Sequence, residues 1–296
     1  MSEAFDLLRI VHQTVYRYHR PVTFLPHRLV LRPREGHDLR VESLALATIP
    51  RSEIAWSRDV FGNSVAQAHF TEPGEELRIE SDVTVRRVIP PAPMAATAIP
   101  IPHPLQYEEL ERPAVAVYLE PAYPQEAETL RAWLQQQQLS TITTAEDLVL
   151  QLTAAIHRLV RYQRREEKGV QSPATTVTLG QGCCRDAACL LMESARHLGI
   201  ATRFASGYLD CAATRAAQGV THAWTEVYFP GLGWRGYDPT TGKRCTPQHV
   251  VTGVSNHPRG VMPVSGRFAG STADYRDLAV RVEFSTPKAE LPGVPS

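Results

Sequence analysis

Two cysteines stand side by side in Gly180-Gln181-Gly182-Cys183-Cys184-Arg185-Asp186, where a glycine-containing loop gives way to a helix expected to run to Leu198 and end at Gly199. A thiol at a helix start meets free backbone N–H groups and the positive end of the helix dipole, which favour the thiolate, the nucleophilic form. The same N–H groups can hold the oxyanion that attack on a carbonyl creates. Such a thiol needs a base, and the base needs an orienting group. Candidates for both lie downstream, where His222 to Phe229 reads as a strand, Pro230-Gly231 as a turn and Trp234 to Asp238 as a second strand. A hairpin symmetric about Gly231 places Asp238 opposite Trp224, on the face of His222 and one diagonal step from it. A slip of one residue would send the two side chains to opposite faces, so the register decides whether the carboxylate can orient the imidazole.

Gly182-Cys183-Cys184-Arg185-Asp186, His222-Ala223-Trp224 and Asp238-Pro239-Thr240 follow one another in the order found in the transglutaminase-like superfamily, which this half of the chain resembles. The preceding part is similar to the bacterial transglutaminase-like N-terminal region, so the resemblance runs from Leu8 to Phe284. It implies an α+β fold, with an N-terminal antiparallel β-sandwich followed by a transglutaminase-like core of the papain-like cysteine protease type. It implies Cys184 as nucleophile, because Arg185-Asp186 follow it in the family's register, His222 as base and acid, and Asp238 as orienting carboxylate. The activity implied is acyl transfer from a peptide or carboxamide bond through a thioester at Cys184. Water as acceptor makes a cysteine peptidase or amidase, and a primary amine makes a transglutaminase.

Two positions depart from the pattern. Ala187 stands where an aromatic residue commonly follows the motif's aspartate, and Cys183 stands where a small residue without a thiol is usual, which leaves open a redox or zinc role for the pair. Gln181 and Tyr162 are candidate oxyanion donors. Trp224 and Trp234 are candidates either to wall an acyl-donor groove or to fill the core. Asp186 reads as a surface charge matched to the helix dipole, or as a tether for a neighbouring loop.

The elements that must position these groups divide by period. Residues 1–90 alternate as short strands, clearest in Leu77 to Arg86 and expected also at Ile10 to Tyr18, Arg28 to Arg32, Leu39 to Ile49 and Val65 to Phe70, with Gly62-Asn63 as a turn. Residues 91–124 read as a linker, since 9 of the 23 prolines fall between Pro90 and Pro124, a density that argues against regular helix. Residues 125–285 read as the catalytic core, with helices at Gln125 to Gln138 and Thr143 to Tyr162, a capping box of Thr143 and Glu146, strands at Ala201 to Leu209 and in the hairpin, and a closing strand at Leu278 to Phe284. Arg161 to Lys168 reads as a solvated helix end and residues 286–296 as a loose tail.

Composition narrows the function classes. Lys plus Arg and Asp plus Glu both number 31, giving zero net charge, and the absence of a basic stripe argues against a nucleic-acid partner. No apolar run reaches the ~18 residues of a membrane span, and the acidic opening Met1 to Asp6 is unlike a secretory signal, so a cytoplasmic home without membrane contact is expected. The five cysteines are odd in number, with three inside seven residues, a poor disulfide framework. The sequence has no Cys-x-x-Cys, no phosphate-cradling loop and no oxygen-rich calcium loop, and His197, His249 and His257 lack zinc-ligand spacing, so neither metal nor cofactor is expected. The expected partner is a peptide or protein substrate, with oligomeric state open. The rival reading is a non-catalytic peptide-binding module that retains the fold.

Overall fold

The structure, a computed structural model, describes residues 4–89, 100–165, 169–211 and 221–287. In chain order its strands are β1 Ala4–Phe24, β2 His27–Leu29, β3 Leu39–Ile49, β4 Ser52–Arg58, β5 Ser64–Phe70, β6 Gly74–Ile89, β7 Arg161–Tyr162, β8 Gln181–Gly182, β9 Thr202–Leu209, β10 His222–Phe229, β11 Gly233–Asp238, β12 Lys243–Arg244, β13 His249–Ser255, β14 Val264–Ser265, β15 Phe268–Ala269 and β16 Tyr275–Ser285. The α-helices are α1 Arg112–Leu119, α2 Ala127–Gln135, α3 Ala145–Leu159, α4 Pro173–Leu179 and α5 Cys184–His197. The chain divides into two compact units, residues 1–94 with 209–221 and 263–296, and residues 95–208 with 222–262.

The first unit contains two antiparallel sheets, one ordered β15-β1-β6-β3 with β16 also on β1, the other β14-β2-β5-β4. Both contribute to one core that includes Tyr18, Phe24, Leu29, Ala66, Leu77 and Ile79, the sandwich expected from alternation. In β6 the side chains of Leu77, Ile79, Val83 and Val85 are buried while their neighbours face out. The β4–β5 hairpin turns where Asp59 accepts the N–H groups of Phe61 and Asn63 and Gly62 takes φ +73°, a conformation that glycine adopts freely.

The strand expected to close the core domain does not do so. β16 pairs along β1, from Arg9 opposite Ser285 to Tyr18 opposite Tyr275. Alternation identifies a strand but not the edge it joins, and β16 covers the β1 edge left open by β6.

This unit carries a buried acid-sensitive group. The His12 ring is 1% exposed and hydrogen-bonded through Nε2 to Thr14 Oγ1 at 2.9 Å, and burial pushes its pKa down to about 4. The unfolded ring titrates near ~6.5, so between those values the unfolded chain binds the extra proton. The stability linked to His12 is whole above about pH 6.5 and is lost as pH falls towards 4, by roughly 3 kcal/mol. His12→Gln should therefore flatten the fall of Tm between pH 7 and 4, and a variant that falls as steeply as the wild type contradicts this assignment.

In the second unit α2, α3 and α5 pack on the antiparallel sheet β12-β11-β10-β9-β13. Trp133, Leu152, Ile156, Leu191, Val227 and Phe229 lie at the centre of that core. The proline-rich stretch holds a helix after all: α1 begins with Pro113 in its first turn, where the missing N–H has no acceptor to lose. Part of that stretch, 90–99, lies outside the described residues, as do Glu166 to Lys168 and the tail from residue 288.

Helix α3 starts at Ala145, two residues later than expected. Its cap is Thr144, whose Oγ1 accepts the Asp147 N–H at 3.2 Å. The helix ends at Leu159, and the first two residues of the segment read as its solvated end, Arg161–Tyr162, instead form β7, parallel to β8. The β10–β11 pairing sets Thr225 opposite Tyr237 and Glu226 opposite Gly236, the register symmetric about Gly231 that puts Asp238 on the His222 face. No helix among the described residues is long and apolar enough to cross a membrane.

Candidate active site

Helix α5 opens with Cys183 as its N-cap. The Cys183 N–H and Sγ–H both donate to Asp186 Oδ2, at 2.9 and 3.1 Å, and the Asp186 N–H donates to the Cys183 carbonyl at 3.0 Å. This is a capping box with sulfur in the place of a hydroxyl. Asp186 is fully buried, and its Oδ1 accepts from Arg165 Nη1 and the Gln171 N–H, each at 2.7 Å. The surface-charge reading of Asp186 is thus overturned: it is the tether, binding the β7–α4 connection to the helix start.

Cys184 is the first helical residue and is partly exposed. Among the groups that act on its thiol is the Ala223 N–H of β10, which favours the thiolate. The Thr225 hydroxyl donates to the Ala188 carbonyl at 2.7 Å and fixes the helix to the same strand. The adjoining Cys183 thiol, burial, and the charges of Cys183 and Asp238 push the Cys184 thiol well up, against the single Ala223 N–H. The helix-start argument for a thiolate is outweighed here by the Cys183 thiol and by an apolar surround that includes Met192, Phe204 and Val261.

The diagonal expected from the hairpin is present: His222 Nε2 donates to Asp238 Oδ2 at 2.9 Å. Asp238 is fully buried, and its Oδ1 accepts the Thr240 N–H at 2.8 Å. Burial alone would raise this carboxyl, but hydrogen bonds from His222 and His249, the His222 charge and the Thr240 N–H together hold it well below the usual carboxylate range. A neutral His222 that gives its Nε2 proton to Asp238 keeps a lone pair on Nδ1, the nitrogen left to receive a proton.

His249 is a site residue that sequence reasoning missed. It lies at the start of β13, with Nε2 3.4 Å from Asp238 Oδ2. Strand β13 pairs with β9 on the sheet edge away from β11, so no spacing along the chain signals the contact. Its one sequence clue is Gly207: a Cβ there would lie 2.0 Å from the Val250 carbonyl, so glycine permits the close approach of β9 and β13.

The remaining candidates separate. Tyr162 is 55% exposed, and its phenol is pushed up by burial and by the charges of Cys184 and Cys183, which places it on the thiol side. Gln181 pairs with Arg161, whose guanidinium donates to its Oε1 at 3.3 Å, on the face of the β7–β8 ribbon opposite to Tyr162. Trp224 is 1% exposed. It is core and walls no groove, its ring packed 6.1 Å from His222 and 5.2 Å from His249. Trp234 pairs with Tyr228 six residues along β10 from His222, roughly 20 Å away. It packs there against Tyr118 and beneath the Arg203 guanidinium.

Residues 132–239 match the family model of the transglutaminase-like superfamily. This core belongs to the transglutaminase-like superfamily. Residues 8–86 match the bacterial transglutaminase-like N-terminal region. The chain is 29% identical over 303 residues to an uncharacterized protein of Mycobacterium tuberculosis, covering 93% of this chain and 91% of that one. It is 25% identical over 309 residues to an uncharacterized protein of Mycobacterium leprae, covering 93% and 98%. A crystal structure of a candidate cysteine protease from Cytophaga hutchinsonii has the same fold, with TM-score 0.74, 18% identity and coverage of 98% of this chain and 93% of that one.

Proposed function

We propose that this transglutaminase-like protein is a cysteine-dependent acyl-transfer enzyme that acts on peptide or carboxamide bonds through a thioester at Cys184. The observation that carries the reading is the 2.9 Å bond between His222 on β10 and Asp238 on β11, with Cys184 at the start of the helix that the Thr225 hydroxyl fixes to β10. In this mechanism His222 Nδ1 takes the thiol proton as sulfur adds to the carbonyl carbon. The Cys184 N–H, an orphan donor of the first helical turn, and the Tyr162 hydroxyl receive the developing oxyanion. The imidazolium, steadied by Asp238, returns the proton to the leaving amine or ammonia, and water or a primary amine then resolves the thioester. Because the Cys183 thiol and burial push the Cys184 thiol up, the proposed base acts during attack and not before it. The free thiols Cys183, Cys184, Cys189 and Cys245 suit a reducing, cytoplasmic setting.

Iodoacetamide labelling with peptide mapping tests the reading. Cys184 should be modified at least ~10-fold faster than Cys183, Cys189 and Cys245 at pH 7.5, because Cys183 and Cys189 are buried and, in the proposed mechanism, only Cys184 has a base to take its proton as it attacks. His222→Gln should remove that advantage. Equal labelling of the thiols would favour the non-catalytic peptide-binding module. Incubation with glutamine-containing peptides and intact-mass analysis should then detect an acyl adduct on Cys184.

A further inference from the structure

The triad's carboxylate serves two imidazoles, and this arrangement offers more than proton transfer. His222 Nε2, His249 Nε2 and Asp238 Oδ2 all lie within 4.8 Å of one another, with the carboxylate oxygen 2.9 Å from one nitrogen and 3.4 Å from the other. Ligands held at ~2.0–2.2 Å around a tetrahedral zinc ion sit roughly 3.3–3.5 Å apart. Two of the three edges are therefore near the required length, and only the separation of the two rings has to close.

The surroundings of His249 and Asp238 carry the partners that metal ligands need. A ligating histidine gives its other ring N–H to a backbone carbonyl or carboxylate, and a ligating carboxylate is itself hydrogen-bonded. Thr246 presents both of its backbone groups to His249 Nδ1, its N–H at 3.1 Å and its carbonyl at 3.3 Å. Both neutral tautomers of His249 are thus satisfied. With the proton on Nε2 the ring donates to Asp238, and with the proton on Nδ1 it donates to Thr246 and frees the Nε2 lone pair. Asp238 Oδ1 is held by the Thr240 N–H, so Oδ2 is the ligand oxygen. Trp224 packs edge-on against the His249 ring and limits its rotation. The His222 side chain is 12% exposed, which leaves a path for a small ion.

We propose that His222, Asp238 and His249 form a site for a borderline-soft divalent cation of the zinc type, and that its occupancy silences Cys184. Binding balances without an added reactant: each ring moves its proton from Nε2 to Nδ1, both Nε2 lone pairs and the carboxylate oxygen bind the cation, and water fills the fourth position. His222 then has Nδ1 protonated and no lone pair for the thiol. The silencing rests on the cysteine reading of the site, whereas the binding does not.

The test separates the two. The Cys183→Ser/Cys184→Ser double variant cannot form a thioester and lacks both sulfurs at the helix start, yet it should still bind one equivalent of Zn²⁺ by calorimetry and give a visible absorption band with Co²⁺. His249→Ala and His222→Ala in that background should each weaken Zn²⁺ binding at least ~30-fold, given that single partners around a site already cost 10–100-fold. Circular dichroism shows whether each variant is folded, and if His249→Ala is not, His222→Ala at the rim decides. Absence of binding in the double variant, or affinity unchanged by loss of a ring, overturns the site. In the wild type, saturating Zn²⁺ should slow iodoacetamide labelling of Cys184 at least ~10-fold, and binding without that protection overturns the silencing.

Discussion

Cys184→Ala should lower turnover of any amide substrate by at least about 10⁴-fold and abolish the acyl adduct, because no other group can form the thioester and only binding and oxyanion donors remain. Cys183→Ser should keep activity within about tenfold, since a hydroxyl can donate to Asp186 and cap α5 as the thiol does. A second readout distinguishes the neighbours. The Cys183 thiol is the first of the groups that push the Cys184 thiol up, so Cys183→Ser should move the alkylation midpoint of Cys184 to lower pH. Turnover retained in Cys184→Ala, with an adduct on Cys183, would reverse the assignment of the nucleophile.

The contrast between these adjacent cysteines shows where sequence reasoning reached and where it stopped. Helix α5 was legible because an apolar stripe begins after Cys184 and Gly199 closes it, and the β10–β11 register was legible because Gly231 fixes a tight turn between alternating runs. Local pattern thus yields the bond between His222 and Asp238, whose carriers lie on one hairpin. It does not yield His249, which reaches Asp238 only after β13 has added to the far side of β9. Asp186 was misjudged for a related reason: first-turn acidity looks the same in sequence at the surface and in a buried tether to Arg165 and Gln171. Likewise the alternation of β16 was visible, but nothing local to it indicates that its partner is β1, more than 250 residues earlier. The free N–H groups and dipole of the helix start suggested a thiolate, and the Cys183 thiol together with burial, a property of the assembled unit, decided against it.

Asp238→Asn should lower kcat about 10³- to 10⁴-fold at neutral pH with little change in KM, the size expected when a catalytic imidazole is held in the wrong tautomer. An asparagine turned to keep its oxygen on the Thr240 N–H presents its NH₂ group to the nitrogens that Asp238 now accepts from. His222 then accepts at Nε2 and carries its proton on Nδ1, the nitrogen assigned as base in the proposed mechanism, which can then no longer accept the thiol proton. Turnover in the variant depends on spontaneous ionisation of a thiol that burial and Cys183 hold high, although loss of the Asp238 charge eases this in part. The rate should therefore climb close to tenfold per pH unit through the alkaline range, where the wild type is flat. Stability offers a separate check. The depressed native carboxyl means that Asp238 stabilises the fold above the unfolded value near ~3.9, and that this contribution is lost as pH falls from there towards the native value. The wild type should lose its advantage over the variant only below about pH 4. A variant within tenfold of wild-type kcat at pH 7, or one whose pH profile runs parallel to the wild type's, would show that Asp238 holds the hairpin together without setting the tautomer of His222.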